Sequence, residues 1–289
     1  MPDCTTAISS TVAEPSHGAW QAQLTLGFAL HGDVSRLVER RHSGPLRVQK
    51  PLYPEGGAVC HAIIVHPPGG VVGGDQLAVD ATVGDGAHAL LTSPGAAKWY
   101  RANGHVSGQH IVLRAGAGAA IEWLPQESIF FDQACVRLRH EVELAQDASY
   151  LGLDIVCLGR SASGESFNTG SISQHTQIRR GGKLLWWEQG VLAAGGPLMQ
   201  GALGMAGHSV CATLLAVGAP LPAPVLAALR DLAVPEGAQF GATQMKSVLV
   251  VRLLCNDSEV ARRVMLAAWQ LLRPALLGRA AAVPRIWNT

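Results

Sequence analysis

The chain has 289 residues, 48% of them hydrophobic and only 15% charged, with a mean hydropathy of +0.20. That is enough apolar material for one large core, while 22 Lys and Arg against 21 Asp and Glu leave no basic field to hold nucleic acid or anionic lipid. No apolar run reaches the roughly 20 residues that span a bilayer, and low charge together with 33 glycines points to a surface partly covered by protein partners.

Residues 1–18, MPDCTTAISSTVAEPSHG, lack the basic and apolar regions of a signal peptide and read as a loose polar leader, so the expected location is cytoplasmic. From Trp20 the sequence becomes short β-type runs such as WQAQLTL, AVCHAIIVH, QLAVDATV and HIVLRAG, separated by Gly, Pro, Asp and Asn. GDGAHALLT (84–92), GAGAAIEWL (116–124) and QDASYLGLD (146–154) each set a small or acidic turn before an alternating strand, at a spacing of about 30 residues. Each follows another strand, which predicts β layers stacked as a solenoid-like coil, with ordinary hairpins of a β-sandwich as the alternative.

Helices are few. APVLAALRDLA (223–233) predicts a short one, and Ser258 followed by EVARRVMLAAWQLL predicts a capped amphipathic helix with Val260, Val264, Ala267, Ala268 and Leu271 on one face, ended by Pro274. The predicted fold is mainly β: a stacked two-layer, solenoid-like body over about 19–216 with a small C-terminal helical or α+β flank over about 217–289, in a single domain. The six cysteines (Cys4, Cys60, Cys135, Cys157, Cys211, Cys255) form no CxxC and no close pair with histidine, and read as reduced small hydrophobes.

The densest motif is HPPGGVVGGDQL (66–77), which follows one apolar strand and precedes another. It lacks the Lys-Ser/Thr ending of a phosphate loop and leads into a strand rather than a helix N-terminus, so it is no phosphate cradle. His66 and Asp75 remain as polar groups at the ends of a stiff reversal, serving as backbone caps or as a metal or partner contact. In TSPGAAKWYRANG (92–104), Ser93 and Lys98 have no recognised nucleophile spacing. In LPQESIFFDQA (124–134), Glu127 and Asp132 read either as an acid/base pair or as turn carboxylates beside an aromatic anchor. Asp154 stands in the apolar run LGLDIVCLGR, where a lone charge is costly, so it needs a partner or a wet cavity. No HExxH and no tight metal site is legible.

Seven segments in order, GPLRVQKPLYPEG, HPPGGVVGGDQL, SPGAAKWYRANG, EWLPQESIFFDQA, LGLDIVCLGRSASGESF, WQLLRPALLG and PRIW, make the chain from Trp20 to its end resemble the UreD (UreH) family of urease accessory proteins. Gln76 departs from that pattern, where many relatives carry Arg or Glu. The resemblance implies a maturation scaffold rather than an enzyme, with no tightly bound cofactor. It implies direct binding to UreF, contact with UreG through UreF, and docking on the urease apoprotein to help install its nickel centre, with transient Ni2+ passing through the interior. No nucleic acid or membrane partner is implied. Placed on this chain, the passage residues are Asp75, Glu127, Asp154 and Glu165, with His66 at a mouth. Tyr100, Arg101, Phe130 and Phe131 are partner contacts or supports, and the C-terminal helix and the PRIW tail, with Trp287 as an anchor at an exposed terminus, form the UreF side. The competing expectations are a purely structural bridge between UreF/UreG and urease, and a hydrolase using Glu127 with Asp132 or Ser93 with Lys98.

Overall fold

The computed structural model describes residues 18–288, so the expectation for a loose leader falls, but for Gly18, outside the described residues. The chain opens with an antiparallel pair, β1 (Gln21–His31) and β2 (Val34–Ser43), and then β3 (Arg47–Val48) pairs with β4 (Cys60–Val65). Three coils follow: β5 (Gln76–Val83), β6 (His88–Thr92) and β7 (Ala97–Trp99); β8 (Ser107–Ala115), β9 (Ala120–Leu124) and β10 (Ser128–Phe130); β11 (Cys135–Leu144) and β12 (Ser149–Leu158). The chain ends with β13 (Ser171–Arg180), β14 (Lys183–Ala193), α1 (Pro197–Gln200), β15 (Val210–Val217), α2 (Ala223–Arg230), β16 (Gln239–Met245), β17 (Val248–Cys255) and α3 (Ser258–Leu277).

The three repeated segments are the β6, β9 and β12 positions of successive coils, and they pair in parallel with one another rather than as hairpins. The coil reading is therefore the correct one. Strands β5, β8, β11 and β13 run parallel in a seven-stranded sheet of order β14-β13-β11-β8-β5-β1-β2. The second, ten-stranded sheet stacks β4, β6, β9 and β12 in parallel and continues antiparallel through β15, β17 and β16. Strand β17 takes up the VLVVRLL run and extends the body's own sheet, so the C-terminal flank is joined to the body through β15, β17 and β16.

Burial patterns explain the layering. Strand β5 alternates between buried and more exposed positions, because one face meets the interior and the other meets water. Strand β6 is buried at all five positions, because the larger sheet is covered on both faces. One apolar core lies between the two sheets, with Leu24, Val79, Leu113, Ile121 and Val142; the other lies between the larger sheet and the helices, with Leu90, Leu151, Leu214, Val251 and Met265.

Helix α3 departs from the prediction in three ways. Its cap is Asp257, whose carboxylate accepts from the Glu259 and Val260 amides, not Ser258. The buried face is Ala261, Val264, Met265, Ala268, Trp269, Leu272 and Arg273, rotated from the one expected. Pro274 lies inside the helix, which ends only at Gly278, a left-handed cap at φ +64°. Proline removes one helical hydrogen bond, but buried Leu272 and Arg273 pin the chain on its N-terminal side. Cys135 is a further correction: it is disulfide-bonded, whereas Cys60, Cys157, Cys211 and Cys255 are free thiols. No helix among the described residues is long and apolar enough to cross a membrane.

Helix α3 is held by a buried ionic network. Arg273 is fully buried, and its Nε lies 3.0 and 3.1 Å from the two oxygens of the equally buried Glu122. Its two terminal nitrogens donate to Glu55 at 2.6 and 2.8 Å, and one also donates to the Ala280 carbonyl. Trp269 Nε1 donates to Glu122 at 2.7 Å, and His88 and His61 lie 2.8 and 2.6 Å from Glu122 and Glu55. Burial alone would raise both carboxyls, yet the hydrogen bonds outweigh it: Glu55 is held at about 2, and Glu122 is lowered by His88, Arg273 and Trp269. Removing the arginine leaves two carboxylates without their main partner, which costs about 3–5 kcal/mol for a buried pair. Arg273→Ala is expected to lose stability of that order in urea unfolding; a loss below about 1 kcal/mol, the level of a surface pair, would contradict the assignment.

Candidate functional site

Parallel stacking in register lines up equivalent side chains of successive coils, and the inward rungs define the interior. On the smaller sheet one rung is Leu77, Gln109, Leu138 and Gln174, and the next is Val79, Ile111, His140, Thr176 and Glu188. On the larger sheet Leu91, Trp123, Gly152, Leu215 and Val250 form one rung, and Asp154, Thr213 and Arg252 the next. The interior is therefore apolar in the early coils and polar where β12 meets the added strands.

Between these rungs lies a cavity of about 640 Å³. It reaches solvent-exposed lining residues in two places. One is the return-loop edge, with Gly69, Gly95 and Lys98; the other is the side of β14 and β17, with Glu188, Val191, Leu198, Leu203 and Arg252. Trp99, Ile111 and Tyr150 line the stretch between and are buried.

Three groups make the interior polar. Asp154 accepts from Gln174 Nε2 at 3.3 Å, and burial, with the nearby Glu188 charge, pushes its carboxyl up to about 6. His140 Nε2 lies 3.3 Å from the Tyr150 hydroxyl, and burial, with a smaller contribution from His110, lowers the imidazole to about 4. Glu188 and Arg252 form an ion pair from one sheet to the other. Gly152 is required for this packing, since a Cβ there would fall 1.8 Å from the Tyr150 hydroxyl oxygen. Among the described residues no three His, Cys, Asp or Glu side chains converge on a common point as metal ligands. Scattered carboxylate, amide and imidazole groups of this kind would hold a divalent cation loosely.

The residues singled out by sequence divide sharply. Asp154 and His66 line the cavity; Asp75, Glu127 and Glu165 do not. Asp75 is buried and caps the loop, accepting from the Trp20 amide at 2.8 Å and the Val72 amide at 3.1 Å. Gly73 serves the same loop, since a Cβ would lie 1.8 Å from the Ala102 carbonyl oxygen. Burial lowers the His66 imidazole, offset in part by Asp75, and its ring meets Trp20 edge-on at 6.5 Å. Glu127 pairs with Arg262 at 2.6 Å, on the helix side of the larger sheet. Glu165 forms a two-pronged pair with Arg160 at 2.9 and 3.1 Å, at the surface.

The return loops carry the aromatic candidates. Phe130 is fully buried and stacks on Trp99 at 5.9 Å, a support rather than a contact surface. Half-exposed Tyr100 meets Phe131 edge-on at 4.8 Å, Arg160 caps the Phe131 ring at 4.4 Å, and Arg101 is exposed. Trp287, expected at an exposed terminus, turns inward against Trp269 and donates to Thr92 Oγ1 at 2.8 Å. The proposed hydrolytic pairs are otherwise engaged: Glu127 by Arg262, Asp132 by the Asn168 and Thr169 amides, and Ser93 by the Gln126 amide. Sequence reasoning missed His140, Gln174, Glu188 and Arg252, whose proximity exists only once the coils are stacked.

Comparison with known proteins adds an independent line. The family model described as "UreD urease accessory protein" matches residues 21–288. The chain is 59% identical over 271 residues to the urease accessory protein UreD of Janthinobacterium sp. (strain Marseille), covering 93% of this chain and 92% of that protein. It is 53% identical over 272 residues to that of Nitrosospira multiformis, covering 93% and 98%, and 47% identical over 282 residues to that of Dechloromonas aromatica, covering 96% and 98%.

The raised Asp154 carboxyl carries a stability cost of defined sign. The unfolded chain releases this proton near pH 4 and the folded protein only near 6, so the native state is favoured below both values and progressively penalised between them. Asp154→Asn is expected to stabilise the protein by on the order of 1–3 kcal/mol above pH 6, with no gain below about pH 4. Denaturation midpoints across that range check it.

Proposed function

The chain belongs to the UreD family of urease accessory proteins, and from that premise we propose that it acts in urease maturation as a non-catalytic scaffold whose interior conducts nickel towards the apoenzyme. On this reading it binds UreF directly and UreG through UreF, docks on the urease apoprotein, and works in the cytoplasm beside them. Nickel is cargo, not a resident cofactor.

The observation that carries the reading is the cavity with exposed lining residues in two places and a polar section between the sheets. A route for a borderline cation has to compensate part of its hydration without trapping it. Asp154, Gln174, His140 and Glu188 offer oxygen and imidazole donors singly along the walls, whereas a preformed cage of thiolates and imidazoles would bind too tightly to release. The rungs nearer the first coils are apolar and closely packed.

Asp154→Asn separates this reading from that of a structural bridge, because the substitution keeps the shape and the Gln174 contact while removing the charge. Urease co-expressed with the variant is expected to be activated several-fold less, with the accessory complex and its attachment to urease intact by co-purification. Glu165→Ala, which removes a surface carboxylate outside the cavity, is expected to activate normally. Full activation by Asp154→Asn would favour the structural bridge.

A further inference from the structure

Of the ion pairs that join layers among the described residues, two differ sharply in kind. Arg273 with Glu122 is wholly buried. Glu188 with Arg252 is half exposed, at 39% and 45% of the side-chain surface, and both residues line the cavity. Glu188 stands on β14, the edge strand of the smaller sheet, and Arg252 on β17 of the larger sheet. The pair therefore spans the open side of the cavity, beside exposed Val191, Leu198 and Leu203.

We propose that the Glu188–Arg252 pair is a strap across this mouth, closed in the structure described here and opened to admit or release the cation. The inference rests on the passage reading above and adds to it the place at which passage is controlled.

Three observations support it. First, a half-exposed pair is screened by water and contributes little to stability, so it separates readily, unlike the buried clamp. Second, the two sides are unequally held. Strand β17 is paired on both sides, with β15 and β16, whereas β14 is paired only with β13 and that pairing is irregular between Ile178 and Arg179. Outward movement of β14 would break no ladder beyond its own. Third, each partner belongs to a polar rung: Glu188 follows His140 and Thr176, and Arg252 follows Thr213 and Asp154. A divalent cation arriving at Glu188 competes directly with the Arg252 guanidinium for that carboxylate, so ion exchange at the mouth and opening of the strap are one event.

The test closes the strap covalently in the full accessory complex. In a Cys211→Ser background, Glu188→Cys and Arg252→Cys are bridged by a photocleavable bis-maleimide, which leaves the Cys135 disulfide untouched. Urease activation is read before and after cleavage by light, against the same double variant left uncrosslinked; an uncrosslinked variant that fails to activate counts against the strap. The proposal expects activation about ten-fold lower while bridged, as for a lid held shut, with recovery on cleavage and unchanged co-purification with urease. A second variant, Ile111→Trp, fills the interior three strands away from Glu188 and leaves the strap in place. If Ile111→Trp abolishes activation while the bridged protein activates at the uncrosslinked rate, the strap is overturned and the passage stands. If neither change matters, both fall. Loss that cleavage fails to restore counts against the strap.

Discussion

Parallel, in-register stacking of the coils is the constraint on which the rest of this molecule depends. Because Gln76–Val83 pairs residue for residue with the next strand, and that strand with the one after, a side chain's position in its coil decides whether it meets water or the interior. The register turns a one-dimensional repeat into walls with defined chemistry. It also places Asp154, Thr213 and Arg252 on a single line, although they come from three strands far apart in the sequence. A slip of one residue would send these groups into the helix-facing core and bring leucines into the cavity.

The stack cannot fill its own outer face, and the helices complete it. The larger sheet is apolar on both sides, so α3 has to be held in one register over a surface that offers little directional guidance. The Arg273 network supplies that direction through charge-assisted hydrogen bonds to carboxylates from two separate parts of the chain, Glu55 and Glu122. A buried pair of this kind adds less net stability than its contacts suggest, because desolvation offsets much of the attraction. Its contribution is placement. The Glu188–Arg252 pair sits in water and is suited to movement. One fold thus uses the same chemistry for a fixed joint and a mobile one, with burial deciding between them.

Much of the fold was legible because it is local. The turn-Ala-strand repeat at 84, 116 and 146 revealed the coils, and the need to neutralise a charge in an apolar run singled out Asp154, which lines the cavity. The same reasoning applied to AIEWL and QLLRPALL would have marked Glu122 and Arg273, which are buried more deeply than Asp154. Asp75 lay in the most recognisable motif yet turned out to serve the loop, since glycine-rich reversals need amide caps whether or not they bind anything. His140, Gln174, Glu188 and Arg252 gave no signal, because isolated polar residues on half-exposed strands look like ordinary solvent-facing positions. Only the register brings them to one cavity. Pro274 misled in the opposite direction, since tertiary anchoring by its neighbours outweighed a local rule.

The central claim, that the interior between the two sheets carries the metal cargo, is tested most directly by locating nickel itself. Crystals of the protein in its accessory complex, soaked in nickel and measured at the nickel absorption edge, are predicted to show anomalous density inside the cavity beside Asp154, absent from the Asp154→Asn variant. Anomalous density confined to the outer surface, with an empty interior in both proteins, would contradict the account.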